Sequence, residues 1–213
     1  MTDNSAAAIR VDTWADIVCP WCYVGEARLR AAAKAGSAPV ELVVHAFQLD
    51  PSHAAPERVA DMLSRKYGTS PEDAAAMDAR VAELARAEGL PYSSDRVTAN
   101  TFDAHRLIAA AAEDGRGLEV RGAIQRGHFD GSVDISDPAA LADAAATAGM
   151  DRDRAMQVLE GEDYGDAVKA DQLHARELGA TGVPFTVVAG RLAIPGCVET
   201  AQYAAAIERV RRA

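Results

Sequence analysis

Two cysteines separated by two residues, Cys19 and Cys22, stand where a predicted strand passes into a predicted helix. Residues 9–18 begin with alternating apolar and polar side chains and are rich in β-branched residues, which is typical of a strand. The residues that follow favour a helix, which should end at Gly36. Cys19 then falls at the N-cap and Pro20 at the first helical position, where a proline loses no hydrogen bond. The two thiols are therefore expected at the N-terminus of a helix.

This position gives the two cysteines different chemical tasks. The free N–H groups and the positive end of the helix dipole should point towards the sulfur of Cys19 and stabilise a thiolate there. Cys22 lies one turn further into the helix, within reach for a disulfide but less exposed. We therefore expect Cys19 to attack a substrate and Cys22 to resolve the resulting mixed disulfide.

Two other interpretations of the cysteine pair are weaker. A zinc site would need two further ligands. The third cysteine, Cys197, stands alone in the sequence, and the five histidines show no zinc-ligand spacing. An inert, buried pair would need neither Pro20 nor a helix start. Redox chemistry without a metal is the favoured prediction.

The charge and hydropathy of the chain argue against several classes of binding partner. A formal net charge of −10 and an isoelectric point near 4.9 argue against binding to nucleic acid or to an anionic membrane. No window is apolar enough over about 18 residues to predict a membrane span. The first residues lack the basic and apolar regions of a secretion signal. These features predict a cytoplasmic protein.

The order of predicted elements indicates an α/β fold with an insertion. A second strand over 39–49 completes a βαβ unit, whose strands should be parallel. Two strands, 182–190 and 192–196, then form a hairpin that is followed by a closing helix over 199–212. Between these halves the chain is helical in pattern, with predicted helices over 57–67, 71–89, 102–113, 117–128, 138–149, 152–160 and 163–178. We divide the chain into 1–54 (βαβ half), 55–179 (helical insertion) and 180–213 (ββα half).

Four motifs, in their order along the chain, resemble the DsbA superfamily of thiol:disulfide oxidoreductases, with the FrnE-like group as the most similar branch. They are Cys19–Gly25, Phe47–Pro51, Asn100–Leu107 and Thr181–Phe185. The resemblance implies a thioredoxin-like fold with a large all-helical insertion between the βαβ and ββα halves. It also implies a redox pair at Cys19 and Cys22 and a cis proline at Pro184. In that family the cis-proline loop sits against the disulfide, and the backbone of the preceding residue, here Val183, can pair with an extended substrate.

The sequence departs from the strongly oxidising periplasmic members of the family at the residues between the cysteines. Pro20 and Trp21 stand there, without a histidine, and Trp21 cannot supply a positive charge. We therefore expect a less stabilised thiolate and a milder redox couple. Some FrnE-like proteins carry a second cysteine pair near the C-terminus, which Cys197 alone cannot supply. A packing role for Cys197 is favoured over a mixed-disulfide role.

Three further residues, Asp16, His45 and His105, have predicted roles. Asp16 could lie under the cysteine pair and serve in proton transfer to Cys22, or could be a solvated strand end, and the two interpretations are about equal. His45 and His105 are expected to be structural rather than catalytic.

The sequence thus predicts a cytoplasmic dithiol–disulfide oxidoreductase. Its partners should be thiol or disulfide substrates, either proteins or small molecules, and it should need no cofactor, although glutathione binding stays open. One alternative is a glutathione-dependent isomerase or transferase of the 2-hydroxychromene-2-carboxylate isomerase and kappa-class type. Another is a non-catalytic holdase that uses the helical block. The direction of redox action and the choice between monomer and homodimer stay open.

Overall fold

The computed structural model describes residues 8–212 of the chain. Its architecture is mixed α/β. The strands are β1 (Ile9–Ala15), β2 (Val40–Ala46), β3 (Glu57–Arg58), β4 (Val97–Thr98), β5 (Phe185–Val188) and β6 (Leu192–Pro195). The helices are α1 (Pro20–Ala35), α2 (Val59–Tyr67), α3 (Pro71–Ala87), α4 (Phe102–Glu113), α5 (Gly117–Asp130), α6 (Pro138–Thr147), α7 (Arg152–Glu160), α8 (Gly165–Glu177) and α9 (Thr200–Arg211).

A four-stranded sheet in the order β2-β1-β5-β6 forms the centre of the fold. Strand β1 runs parallel to β2, with Ile9 opposite Val40, and antiparallel to β5, with Trp14 opposite Phe185. Strands β5 and β6 form the predicted antiparallel hairpin. The βαβ and ββα halves of the prediction are therefore confirmed, and they meet along the β1–β5 pair.

Helices pack on both faces of this sheet because successive side chains of a strand point to opposite sides. On one face, Val11 of β1 packs with Leu29 of α1 and with Tyr203 and Ile207 of α9. On the other face, Trp14 packs with Ala175 of α8 and with Phe185. The indole nitrogen of Trp14 also donates a hydrogen bond to the carbonyl oxygen of Asp171, at 3.0 Å. Both faces of β1 are thus buried immediately before the cysteine pair.

The helix starts follow the capping residues that the sequence predicts. Ser70 accepts a hydrogen bond from the backbone N–H of Asp73, and Asp137 accepts one from Ala139. The helix expected from residue 57 begins instead at Val59, because Glu57–Arg58 pairs with Val97–Thr98 in a small antiparallel sheet. Strands of two residues have no hydropathy period, so the sequence pattern could not indicate this sheet.

The helices from α2 to α8 lie between β2 and β5 in the chain, as predicted. Ile17, in the segment just before Cys19, is fully buried in the core of this helical block, together with Leu107, Ile124 and Leu141. The active-site turn is therefore held by the helical block as well as by the sheet. The division into domains at residues 54 and 179 stays a prediction. Within residues 8–212, no helix combines the length and the apolar character of a membrane span.

Candidate active site

Cys19 and Cys22 lie at the N-terminus of α1, with Cys19 as the N-cap and Pro20 at the first helical position. The backbone N–H of Cys22 donates to the Cys19 sulfur at 3.3 Å. Both residues are almost fully buried, with 3% of Cys19 and 1% of Cys22 exposed, and both are free thiols. The predicted arrangement of strand, N-cap cysteine and helix is therefore present.

The buried position of Cys22 disfavours its thiolate. Burial raises the pKa of Cys22 well above its ordinary value, and the neighbouring Cys19 acts in the same direction. A backbone hydrogen bond from Asp16 and the positive charge of Arg121 oppose this effect. Cys22 is consequently a neutral thiol at neutral pH in the reduced protein.

The loop before β5 forms the wall opposite the cysteines. The Val183–Pro184 peptide bond is cis, as the resemblance implies. The sulfur of Cys19 lies 3.7 Å from the carbonyl oxygen of Val183. Gly25 of α1 lets Pro184 pack closely against this helix, because a Cβ there would lie 3.3 Å from Pro184 Cγ and 3.4 Å from the hydroxyl of Tyr203. Cys19 and Val183, which are 164 positions apart in the chain, thus belong to one site.

Asp16 is buried beneath the active-site turn, with 1% of the residue exposed. Its carboxylate accepts hydrogen bonds from the backbone N–H groups of Ile17, at 2.8 Å, and Leu49, at 2.7 Å. His105 Nε2 lies 3.2 Å from Asp16 Oδ1. The interpretation of Asp16 as a solvated strand end is therefore wrong, since the side chain joins the turn to the segment that follows β2 and to α4. A role in proton transfer stays a prediction.

The other predicted residues lie away from the sulfurs. His45 bridges two carboxylates, with Nε2 2.8 Å from Asp12 and Nδ1 2.9 Å from Asp171, and its ring stacks on Trp14. Burial lowers the pKa of His45, but hydrogen bonds to Asp171 and Asp12 raise it by a larger amount, so the net shift of this pKa is upward. These contacts fit the structural role that we expect of His45.

Cys197 is half-buried on the side of α1 that faces the β6–α9 loop. Its sulfur lies 3.6 Å from the position that a Cβ on Gly25 would take, and it packs against an apolar cluster that includes Tyr23 and Phe129. Burial raises the pKa of Cys197, although the charge of Arg28 opposes this shift. Cys197 therefore has the packed position that the sequence favours. Its redox behaviour stays a prediction.

An open cleft of about 740 Å³ runs from Cys19 to helices α2 and α3. This volume is in the range of small-molecule sites, roughly 300–1,000 Å³. Cys19 lines the cleft together with Val183, whereas Cys22 does not. Three large exposed apolar side chains stand along it: Trp21, Leu49 and Tyr67. Exposed apolar groups that surround a reactive thiol indicate a surface for substrate.

The lining of the cleft includes four basic side chains, beside the carboxyl groups of Asp16, Asp50 and Asp78. Arg65 pairs with Glu57, and Arg96 pairs with Asp78. Lys66 and Arg80 line the cleft without an ion pair to any of residues 8–212. These two side chains are therefore available to a negatively charged ligand.

Two residues near the cysteines were missed by the sequence analysis. His53 lines the cleft with its side chain 7% exposed, and its Nε2 has no hydrogen-bond partner within residues 8–212. Arg121 of α5 lies on the other side of the cysteines, 1% exposed and paired with Glu26 of α1. Only the folded chain brings these residues to the site, and an arginine in an amphipathic helix ordinarily indicates the solvent face.

Among residues 8–212, no group of three His, Cys, Asp or Glu side chains could hold a metal ion.

A thioredoxin-type sheet, a Cys-x-x-Cys pair that begins its first helix and a cis proline against the first cysteine together define a thiol:disulfide oxidoreductase. Residues 10–208 match the model of the DSBA-like thioredoxin domain, and the chain belongs to this family. It is a DsbA-like disulfide oxidoreductase. The FrnE-like branch within the family stays a prediction.

Solved structures show the same relationship. A probable DsbA oxidoreductase from Streptomyces coelicolor is 38% identical, with a TM-score of 0.92, over 96% of this chain and 90% of that chain. The cytosolic disulfide reductase DsbM from Pseudomonas aeruginosa, solved with GSH, is 20% identical, with a TM-score of 0.65, over 96% of this chain and 100% of that chain. A 2-hydroxychromene-2-carboxylate isomerase is 17% identical, with a TM-score of 0.69, over 95% of this chain and 96% of that chain. The last two share the fold with this chain.

Proposed function

We propose that this protein exchanges dithiols and disulfides in a reducing compartment such as the cytoplasm, with Cys19 as the attacking cysteine and Cys22 as the resolving cysteine. The observation that carries the proposal is the asymmetry of the pair: Cys19 lines the open cleft, whereas Cys22 lines only a small internal cavity. A substrate in the cleft therefore meets the sulfur of Cys19 first. The compartment is supported by the cytosolic enzyme DsbM, which has the same fold.

The reaction proceeds in two exchanges. The Cys19 thiolate attacks one sulfur of a substrate disulfide, the substrate S–S bond breaks, and one substrate thiolate leaves. Cys22 then loses its proton and attacks the Cys19 sulfur, which releases the second thiolate and forms the Cys19–Cys22 disulfide. The substrate gains two electrons and the protein dithiol loses them. Starting from the disulfide form, the same steps run backwards and oxidise a dithiol.

The surrounding residues have supporting roles in this proposal. Pro20 and the start of α1 hold the Cys19 sulfur at the N-cap, where it accepts a hydrogen bond from the backbone N–H of Cys22. The backbone of Val183, beside Pro184, contacts an extended substrate. Trp21 gives an apolar border without positive charge, which supports a mild redox couple. Asp16 is proposed as a tuning residue, because its buried carboxylate lies beneath the turn that carries both sulfurs.

Equilibration with glutathione buffers tests the proposal. The protein is incubated over a series of ratios of reduced to oxidised glutathione, quenched with acid, alkylated and mapped by mass spectrometry. We expect the Cys19–Cys22 pair to pass cooperatively from dithiol to disulfide as the buffer becomes more oxidising. The midpoint gives the reduction potential, and therefore the favoured direction. If the pair stays reduced at every ratio, or only Cys197 reacts, the proposal is wrong.

Glutathione-dependent chemistry is a second candidate, because the cleft holds the two unpaired cations, Lys66 and Arg80. Glutathione disulfide is anionic at neutral pH, and opposite charge in a cleft raises association rates. We expect the variant Lys66→Gln/Arg80→Gln to lower the rate ratio between glutathione disulfide and neutral bis(2-hydroxyethyl) disulfide about threefold or more. Stopped-flow kinetics at low ionic strength would measure both rates.

The control for this prediction carries the same change of net charge elsewhere. Lys34 and Arg209 are exposed and lie outside the cleft, so Lys34→Gln/Arg209→Gln should keep the ratio of the native protein. Equal ratios in both double variants would show that the cleft does not select anionic disulfides.

A further inference from the structure

A negative charge on the sulfur of Cys22 is energetically costly, and Cys22 does not line the substrate cleft. The residue must become a thiolate to resolve the mixed disulfide, and it must leave as a thiolate in the reverse reaction. Only 1% of it is exposed, so water cannot stabilise the negative charge. A buried anion of this kind needs a nearby opposite charge.

A fixed positive charge lies on the side of Cys22 away from substrate. Arg121 and Cys22 line the same internal cavity, which also includes Glu26, Pro184 and Tyr203 in its wall. The cavity has a volume of about 10 Å³, close to the minimum for one water molecule, roughly 10–15 Å³. The Nε and Nη2 atoms of Arg121 have no hydrogen-bond partner within residues 8–212. A guanidinium stays protonated even when buried, so these donors carry a permanent charge.

Glu26 partly neutralises this charge. It follows Cys22 by one turn of α1, and its Oε2 atom pairs with Nη1 of Arg121. Its other oxygen accepts a hydrogen bond from Nε of Arg30, at 2.8 Å. Glu26 thus has a cation on each side, and it stays paired with Arg30 when Arg121 is removed.

The charged and titratable groups that face Cys22 come from four parts of the fold. They are Asp16 before α1, Cys19 and Glu26 on α1, Arg121 on α5 and Tyr203 on α9. Burial raises the pKa of Tyr203 to about 12, so this side chain is neutral at neutral pH. Arg121 is the one cation in this set.

We propose that Arg121 is the positive charge that stabilises the Cys22 thiolate, and that Glu26 limits the strength of this effect. The proposal rests on the function proposed above and adds a residue that acts on Cys22 through space. When the Cys19–Cys22 disulfide opens, the departing Cys22 sulfur takes the electron pair of the S–S bond and faces the guanidinium. When the disulfide closes, the thiol proton leaves to water, and the thiolate attacks from the same position.

The two members of the ion pair should affect Cys22 in opposite directions. Removal of Arg121 leaves the negative charge of Glu26 near the sulfur, which raises the pKa of Cys22 and lowers its thiolate fraction. Removal of the Glu26 charge leaves the cation unopposed, which lowers that pKa. A purely structural ion pair would give the same sign for both variants, since each breaks the same contact.

The experiment follows the release of glutathione from its mixed disulfide with Cys19 by rapid quench, from pH 6 to pH 10. We expect Arg121→Gln to move the pH profile of release upward by about one pH unit. At pH 7 release should slow about threefold to tenfold, because the smaller thiolate fraction of Cys22 is partly offset by the greater nucleophilicity of that thiolate. Glu26→Gln should move the profile downward. Arg121→Lys, which keeps the charge, should stay nearer to the native protein than Arg121→Gln.

The outcomes separate this proposal from the proposed function. If Cys19 of the native protein forms no mixed disulfide, or never releases glutathione from it, the proposed function fails. If the native protein releases glutathione but Arg121→Gln and Glu26→Gln shift the profile in the same direction, or not at all, the role of Arg121 is wrong. Should Arg121→Gln fail to fold, Glu26→Gln still decides the proposal: a downward shift of the profile supports it, and an upward shift or no shift overturns it.

Discussion

Replacement of Cys19 by serine is expected to lower disulfide exchange by a factor of at least about 100, because a neutral hydroxyl cannot replace the thiolate nucleophile. Replacement of Cys22 by serine should have a different result. Cys19 still lines the cleft and still attacks, but no second thiol stands beside it to release the product. The Cys22→Ser protein should therefore accumulate a mixed disulfide at Cys19.

Intact-mass measurement after incubation with glutathione disulfide tests both variants at once. The Cys22→Ser protein should gain the mass of one glutathione at Cys19, and the Cys19→Ser protein should gain none at Cys22. Cys197→Ser is the matched control, since this cysteine lies outside the cleft, and it should exchange at the native rate. A Cys19→Ser protein that reacts as quickly as the native one would contradict the assignment of the nucleophile.

A large loss of stability in acid is expected from His128. Its side chain is almost completely buried in α5, and neither ring nitrogen has a hydrogen-bond partner within residues 8–212. Burial, with a contribution from the charge of Arg96, lowers the pKa of His128 to about 3. The folded protein therefore holds this ring neutral over a pH range in which the unfolded chain protonates it.

The sign of the effect follows from this difference. The unfolded ring titrates near its ordinary value of about 6.5, so above that pH the ring is neutral in both states and stability is unaffected. As the pH falls from 6.5 towards 3, the unfolded chain binds a proton that the folded protein does not, and the free energy of unfolding decreases. Between pH 7 and pH 4 the loss should be roughly 3 kcal/mol. The measurement is urea unfolding of native and His128→Gln proteins across this range. The native protein should lose more stability on acidification than the variant, and parallel curves would show that the folded protein accepts the proton.

Local sequence signals were sufficient to predict much of the fold. The βαβ unit, the hairpin and several helix starts depend on residues close in sequence, as at Ser70 and Asp137, where a cap and a following proline mark the first turn. The N-cap position of Cys19 was predictable for the same reason. Signals of this kind lie within a few neighbouring residues, so they can be recognised in the sequence without knowledge of the fold.

The second half of the site could not be predicted from these signals. Glu26 lies on α1 and Arg121 on α5, with β2 and helices α2, α3 and α4 between them in the chain. Nothing in their local pattern distinguishes them from exposed ion-pairing residues. The position of Asp16 depends on the backbone N–H of Leu49 in the segment after β2, and the cleft depends on how α2 and α3 pack beside the turn. The Cys-x-x-Cys motif and the family resemblance identify the chemistry, whereas the electrostatic surroundings of Cys22 arise only when distant helices pack together.

The order of strands in the sheet has a consequence for the newly synthesised chain. Strand β1, which leads to the cysteines, has β5 as one of its two neighbours, and β5 is made from residues 185–188. During translation the two cysteines leave the ribosome long before this partner and before the Val183–Pro184 wall. Since domains fold as units during synthesis, Cys19 and Cys22 should remain open to oxidation and alkylation in nascent chains that stop before residue 185. Protection of these thiols should be acquired only as the last part of the sheet is added.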